Sequence, residues 1–315
     1  MNLDDYQEKA MKTDQIPVVE GMDLLVPLLG LAGEAGSLLT EYKKLLRDGE
    51  AHKLFKEVIS EELGDLLWYV ANLATKFDLS LEAVAEQNLL KCQERWSWKQ
   101  LPENRGSSPL FFDNDFPDSE RIPRKFEVEF VEEADESLAR IQAFIQGEKV
   151  GDYLTDNSYV ADGYRFHDVF HLAFAAVLGW SPVTRQLLGG CKRKSDVKVD
   201  EVEDGGRAKA IEEGISALIF SYGKDHSFLE GVHTIDYELL RTIKSMTCHL
   251  EVSRCSAGDW EEAILAGFHV WRKLQEYGGG KIEIDLEKRS ISYQELIKSS
   301  FEIPVDNLYA NRSCD

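Results

Sequence analysis

The 315 residues are enough for two ordinary domains, because a single hydrophobic core stops growing before such a length is filled. Hydrophobic residues make up 43% and charged residues 30%, as in globular proteins, and no apolar run approaches the ~18–20 residues of a membrane span. With 36 basic against 57 acidic residues and a net charge of −21, the chain repels a nucleic-acid backbone; cations, or small anions held through cations, are the expected partners, and the acidity also serves solubility.

In chain order, residues 1–15 are polar and acidic, unlike a signal peptide. Helical periodicity predicts helices over 3–13, 24–47, 53–77 and 80–96. Asp48-Gly49 stops the second and Ser80 N-caps the fourth. Residues 1–100 therefore read as a four-helix bundle. Four of the eight prolines (Pro102, Pro109, Pro117, Pro123) fall in 101–124, which reads as a linker laid on a domain surface by Phe111, Phe112 and Phe116. Residues 125–315 read as a second helical domain, with helices at 125–147, 162–178, 207–222, 235–252 and 258–276 and a long charged loop at 186–207. KIEIDLEKRSISY, after Gly278-Gly279-Gly280, alternates as a small hairpin does. The expected fold class is all-α with this minor β appendage. The five cysteines are odd in number and form no C-x-x-C, which argues against a zinc ribbon or disulfide framework and for a reduced, cytoplasmic protein.

The chemistry concentrates on two successive helices. Glu34 and Glu41 are two turns apart on one face of the first. Glu62 and Asp65 share a face of the second, next to the apolar run LLWYVANLA, with Glu61 alongside. Carboxylates beside a core-facing stripe cost free energy unless paired or bound to metal. An all-oxygen set suits Mg²⁺ or Mn²⁺, not zinc.

LLGLAGEAGSLLTEYKK, then EELGDLLWYVANLA, then LEAVAEQNLLKCQERW, resemble the MazG-type all-α nucleotide pyrophosphohydrolases over residues 3–96. The resemblance implies an E-x-x-E motif opened by Glu34 and an E-x-x-D motif formed by Glu62 and Asp65. Together these hold Mg²⁺ on a nucleoside triphosphate (NTP or dNTP), which water splits to nucleoside monophosphate and pyrophosphate. Asn88 and Lys91 match the pair that contacts the nucleotide, and a free carboxylate, here Glu61, is the candidate general base. The resemblance further implies a homodimer or tetramer. One departure matters: Ser37 stands where the second Glu of E-x-x-E is expected. Either Glu41 completes the site or a metal position is lost, which would leave a nucleotide-binding regulator.

In the second domain, Glu133 and Glu136 line up with Glu34 and Ser37, and Asp168 and His171 repeat the i, i+3 spacing of Glu62 and Asp65. A diverged repeat with a second metal set (Glu133, Glu136, Asp168, His171) is one expectation. His167-Asp168 also offers the core of an HD-type phosphohydrolase, and a buried His171 satisfied by a nearby acid is the plainer reading. Glu212-Glu213 would add an acidic pair. Lys192, Arg193 and Lys194, cationic in an acidic chain, are candidate phosphate contacts or a solvated loop.

Overall fold

The computed structural model describes residues 1–15, 23–96, 111–134 and 139–294. The chain divides into two compact units, Met1–Glu94 and Arg95–Asp315.

The first unit contains α1 (Leu3–Met11), α2 (Leu25–Asp48), α3 (Phe55–Lys76) and α4 (Leu81–Trp96), close to the four predicted helices. Local signals set their ends. Asn2 and Asp5 form a reciprocal capping box at α1. Gly49, with φ 57°, closes α2 and donates its N–H to the Leu45 carbonyl. Ser80 Oγ accepts from the Ala83 N–H at 3.0 Å and donates to Asp4, tying the start of α4 to α1. The core is small: Ala10, Ala71, Ala74 and Leu81, against Leu3, Tyr6, Met11 and Trp68. Leu29, Leu39, Leu46, Leu63, Leu89 and Leu90 stay exposed.

The second unit is not all-helical. Residues predicted as a helix over 125–147 form β1 (Lys125–Ala134) and β2 (Ala139–Ile145), followed by β3 (Glu148–Leu154). With β4 (Gly279–Asp285) and β5 (Ser290–Gln294), the predicted hairpin, they make an antiparallel sheet in the order β3-β2-β1-β4-β5. The reason lies in the pattern. Phe126, Val128 and Phe130 are buried while Glu127 and Glu129 alternate with them, a period of two that the glutamate content disguised as a helix. Gln146 and Gly147 have φ of 53° and 81° and form the two-residue loop between β2 and β3, a turn that needs positive φ at both positions.

The helices of this unit are α5 (Asp168–Leu178), α6 (Pro182–Leu187), α7 (Val197–Val202), α8 (Gly206–Asp225), α9 (Tyr237–Met246) and α10 (Ala257–Tyr277). Every residue of α5 is buried, and it joins the sheet and α10 in one core. At Gly267 of α10 a Cβ would lie 2.9 Å from the Phe170 ring, so the missing side chain permits the α5–α10 approach. Residues 111–124 belong to this unit rather than to a linker: Ile122 and Asp113 are buried, and Asp113 binds Arg185 at 2.8 Å and Arg124 at 2.7 Å. Residues 97–110 lie outside the described residues. The 186–207 segment carries α7 and is likewise built in. No described helix is long and apolar enough to cross a membrane.

Candidate functional site

In the first unit, α2 presents Glu34 and Ser37, both half-buried, and the buried Glu41. From α3 come the half-buried Glu62 and the exposed Glu61 and Asp65. These acids share one electrostatic neighbourhood. The Glu62 carboxyl is raised above the ordinary glutamate value, first by burial and then by the charges of Glu34, Asp65, Glu41 and Glu61. Its Oε2 is sealed from solvent and has no hydrogen-bond partner. Asp65 also acts on Tyr6 of α1, whose hydroxyl is raised by burial and then by that charge. Glu34, Glu41, Glu61 and Asp65 thus all lie near enough to act on the Glu62 charge.

Glu41 is engaged differently from its neighbours. It accepts from Lys44 Nζ and lies 3.1 Å from His52 Nε2. The Lys44 hydrogen bond holds its carboxyl below the usual range. Its negative charge is already matched by the Lys44 ammonium, whereas Glu62 has no such ion pair among the described residues. Asn88 and Lys91 are exposed on α4, one turn apart.

The second unit carries another constellation. His167, at the start of α5, sets Nδ1 2.9 Å from the Tyr164 carbonyl and stacks on the Tyr164 ring. One turn later, His171 Nδ1 lies 2.9 Å from Glu212 Oε1 on α8, with both side chains fully buried. Glu212 also accepts from Ser181 Oγ at 2.5 Å and from the Val183 N–H at 2.8 Å. Glu213 Oε2 lies 3.4 Å from His171 Nε2 and 3.9 Å from His167 Nε2. Asp168 Oδ1 is 3.5 Å from His167 Nε2. Burial opposes protonation of His171, but Glu212, Glu213 and Asp168 outweigh it and push its pKa up to about 10.

Glu133 is not part of this group. It sits on β1 opposite Arg140, exposed, on the sheet face shared by Glu127 and Glu129 and opposite to the buried side chains. Glu136 lies outside the described residues. The helical E-x-x-E comparison between the two domains therefore fails on backbone conformation. The HD reading lacks its companions, since the metal-capable group among the described residues contains His167, Asp168 and His171 and no further Asp. Arg193 is no free phosphate contact. It is 1% exposed, donates to Asp204 and Glu251 at 2.7 Å each, and is held charged by them. Lys192 beside it is half-buried and Lys194 is exposed. The cysteines among the described residues are unpaired.

A model of the MazG nucleotide pyrophosphohydrolase domain matches residues 28–98, and one of the MazG C-terminal domain matches residues 107–297. The chain belongs to the MazG family. Its first matched domain is of the class that hydrolyses nucleotide pyrophosphate bonds. The gene 37 protein of Mycobacterium phage L5 is 38% identical over 103 residues, 30% of this chain and 89% of that protein. No solved structure matches. Glu34, Glu41, Glu62 and Asp65 are all readable as candidates from their spacing. His167 as a partner of His171 was not singled out, although two histidines at i and i+4 on one helix face are a recognisable signal. The Glu212-Glu213 pair expected to join this group does so, through the packing of α8 beside α5.

Proposed function

We propose that the first domain binds Mg²⁺ or Mn²⁺ through Glu34, Glu62 and Asp65 and cleaves nucleoside triphosphates between the α and β phosphates, releasing nucleoside monophosphate and pyrophosphate. One observation carries this reading: the sealed, unpartnered Oε2 of Glu62 among four other carboxylates. An unpaired acid held among other carboxylates at an apolar border fits a divalent cation, and an all-oxygen set suits magnesium or manganese. When bound, such an ion neutralises phosphate charge and lowers the pKa of water.

This chain's own residues do the rest. Glu62 and Asp65 share a face of α3 and hold their charges toward α2. Glu61, exposed beside them, serves as the base that takes a proton from the attacking water. Asn88 and Lys91 on α4 contact the nucleotide, with the Lys91 ammonium suited to phosphate. The exposed leucines of α2, α3 and α4 support a homodimer or tetramer, and the unpaired cysteines are in keeping with the cytoplasm.

A second reading rests on Ser37 and Glu41. With a neutral hydroxyl at one position and Glu41 engaged by Lys44 and His52, a weakened site would bind nucleotide without turnover, as a regulator. Purified protein given each NTP and dNTP with Mg²⁺ or Mn²⁺, with pyrophosphate and phosphate measured separately, distinguishes them. Pyrophosphate release supports the first reading and binding without turnover the second. Hydrolysis that survives Glu62→Ala but is lost in Asp168→Ala overturns both.

A further inference from the structure

The His167–His171 cluster has features that a buried ion pair alone does not require. Among the described residues, His167, Asp168 and His171 form the group whose ligand atoms lie within 4.8 Å of one another. The outer nitrogen of each ring is committed. A carbonyl can only accept, so His167 Nδ1 donates to Tyr164 O, which turns Nε2 toward Asp168 and Glu213. Glu212, already accepting from Ser181 and Val183, accepts from His171 Nδ1 in the same way. A ligating histidine characteristically donates its other N–H to a backbone carbonyl or a carboxylate, and both forms occur here.

Asp168 Oδ1 lies 3.5 Å from His167 Nε2, and Glu213 Oε2, outside that group of three, reaches toward both rings, 3.4 Å from His171 Nε2 and 3.9 Å from His167 Nε2. His171 Nε2 is completely buried, and its 3.4 Å approach to Glu213 Oε2 falls short of hydrogen-bond geometry. Such an atom normally has a partner. The His167–Asp168, His171–Glu213 and His167–Glu213 separations, 3.5, 3.4 and 3.9 Å, approach the ligand–ligand edge of about 3.3 Å in a tetrahedral site with 2.0–2.1 Å bonds. The Glu213 side chain is 48% exposed and gives a path from solvent.

We propose that His167, Asp168, His171 and Glu213 bind one divalent first-row transition ion of the zinc class in the C-terminal domain. The donor set separates this site from the first domain. Imidazole with carboxylate favours zinc, manganese, iron or cobalt, whereas the all-oxygen carboxylates of α2 and α3 favour magnesium. Binding is independent of the nucleotide chemistry proposed above, because it uses other residues in the other unit.

The test is zinc competition between the full chain, stripped of metal, and a chromophoric chelator, with X-ray absorption at the zinc edge. The wild-type chain is expected to retain one zinc with scattering from two imidazoles. His167→Gln and Glu213→Gln each weaken retention at least tenfold with unchanged circular dichroism, while Glu62→Gln leaves this zinc in place. His171 is wholly buried, so its replacement is not relied on. Failure of the wild-type chain to hold zinc against the chelator, an imidazole-free shell, or equal retention in His167→Gln and Glu213→Gln would overturn the proposal.

Discussion

His171 and Glu212 meet across 2.9 Å with neither side chain exposed, joining α5 at the centre of the second unit to α8. Glu212 simultaneously holds the Ser181 hydroxyl and the Val183 N–H at the start of α6. One carboxylate thus ties three helices. Removing it leaves a buried imidazole and two donors without an acceptor.

Glu212→Ala in the metal-free protein is therefore expected to destabilise the second unit by about 3–5 kcal/mol, the scale for breaking a buried charged pair from one side. Urea unfolding followed by tryptophan fluorescence reads this directly, because Trp180, Trp260 and Trp271 are buried in that unit. A change under 1 kcal/mol would mean that the pair is not a structural tie.

Acid should loosen the same unit through Asp113. Burial alone would raise its carboxyl, but the Arg124 hydrogen bond and the Arg185 charge outweigh it and hold the pKa below the ordinary value of 3.8. A depressed folded pKa adds stability that is fully present above the unfolded value and is lost as pH falls through the folded one. The melting temperature of the wild-type chain should fall more steeply below about pH 4 than that of Asp113→Asn. Parallel curves would remove Asp113 from the account.

Ser37→Glu restores the acid one turn after Glu34. In the metal-free protein the added charge should lower stability by repulsion. With Mg²⁺ present the sign should reverse, and Mg²⁺ affinity should rise about tenfold, equivalent to 1.4 kcal/mol and within the range of one close charge. Magnesium-dependent shifts in melting temperature compare the two chains. Equal shifts would show that Ser37 does not face the cation.

The first unit was legible because each of its elements is specified locally. Capping at Asn2, Ser80 and Gly49, unbroken helical periodicity, and the i, i+3 spacing of Glu62 and Asp65 all act within a few residues of one another. The second unit was legible only in part. Its β4–β5 hairpin showed as clean alternation, but β1 carries four helix-favouring glutamates, and its strand state comes from burying Phe126, Val128 and Phe130 against distant helices. Arg193 illustrates the same limit. Its sequence neighbours suggested an exposed cation, while Asp204, 11 residues on, and Glu251, 58 residues on, enclose it.

Pyrophosphate release from nucleoside triphosphates by the wild-type chain and by Glu62→Gln, with Mg²⁺ present, tests the central claim most directly. The wild-type chain is expected to release pyrophosphate and nucleoside monophosphate in equal amounts and only with a divalent cation. Glu62→Gln should lower kcat by about two orders of magnitude or more, as loss of a positioned acid–base or metal-binding carboxylate does. Undiminished release in Glu62→Gln, or release of phosphate in place of pyrophosphate, would contradict the account.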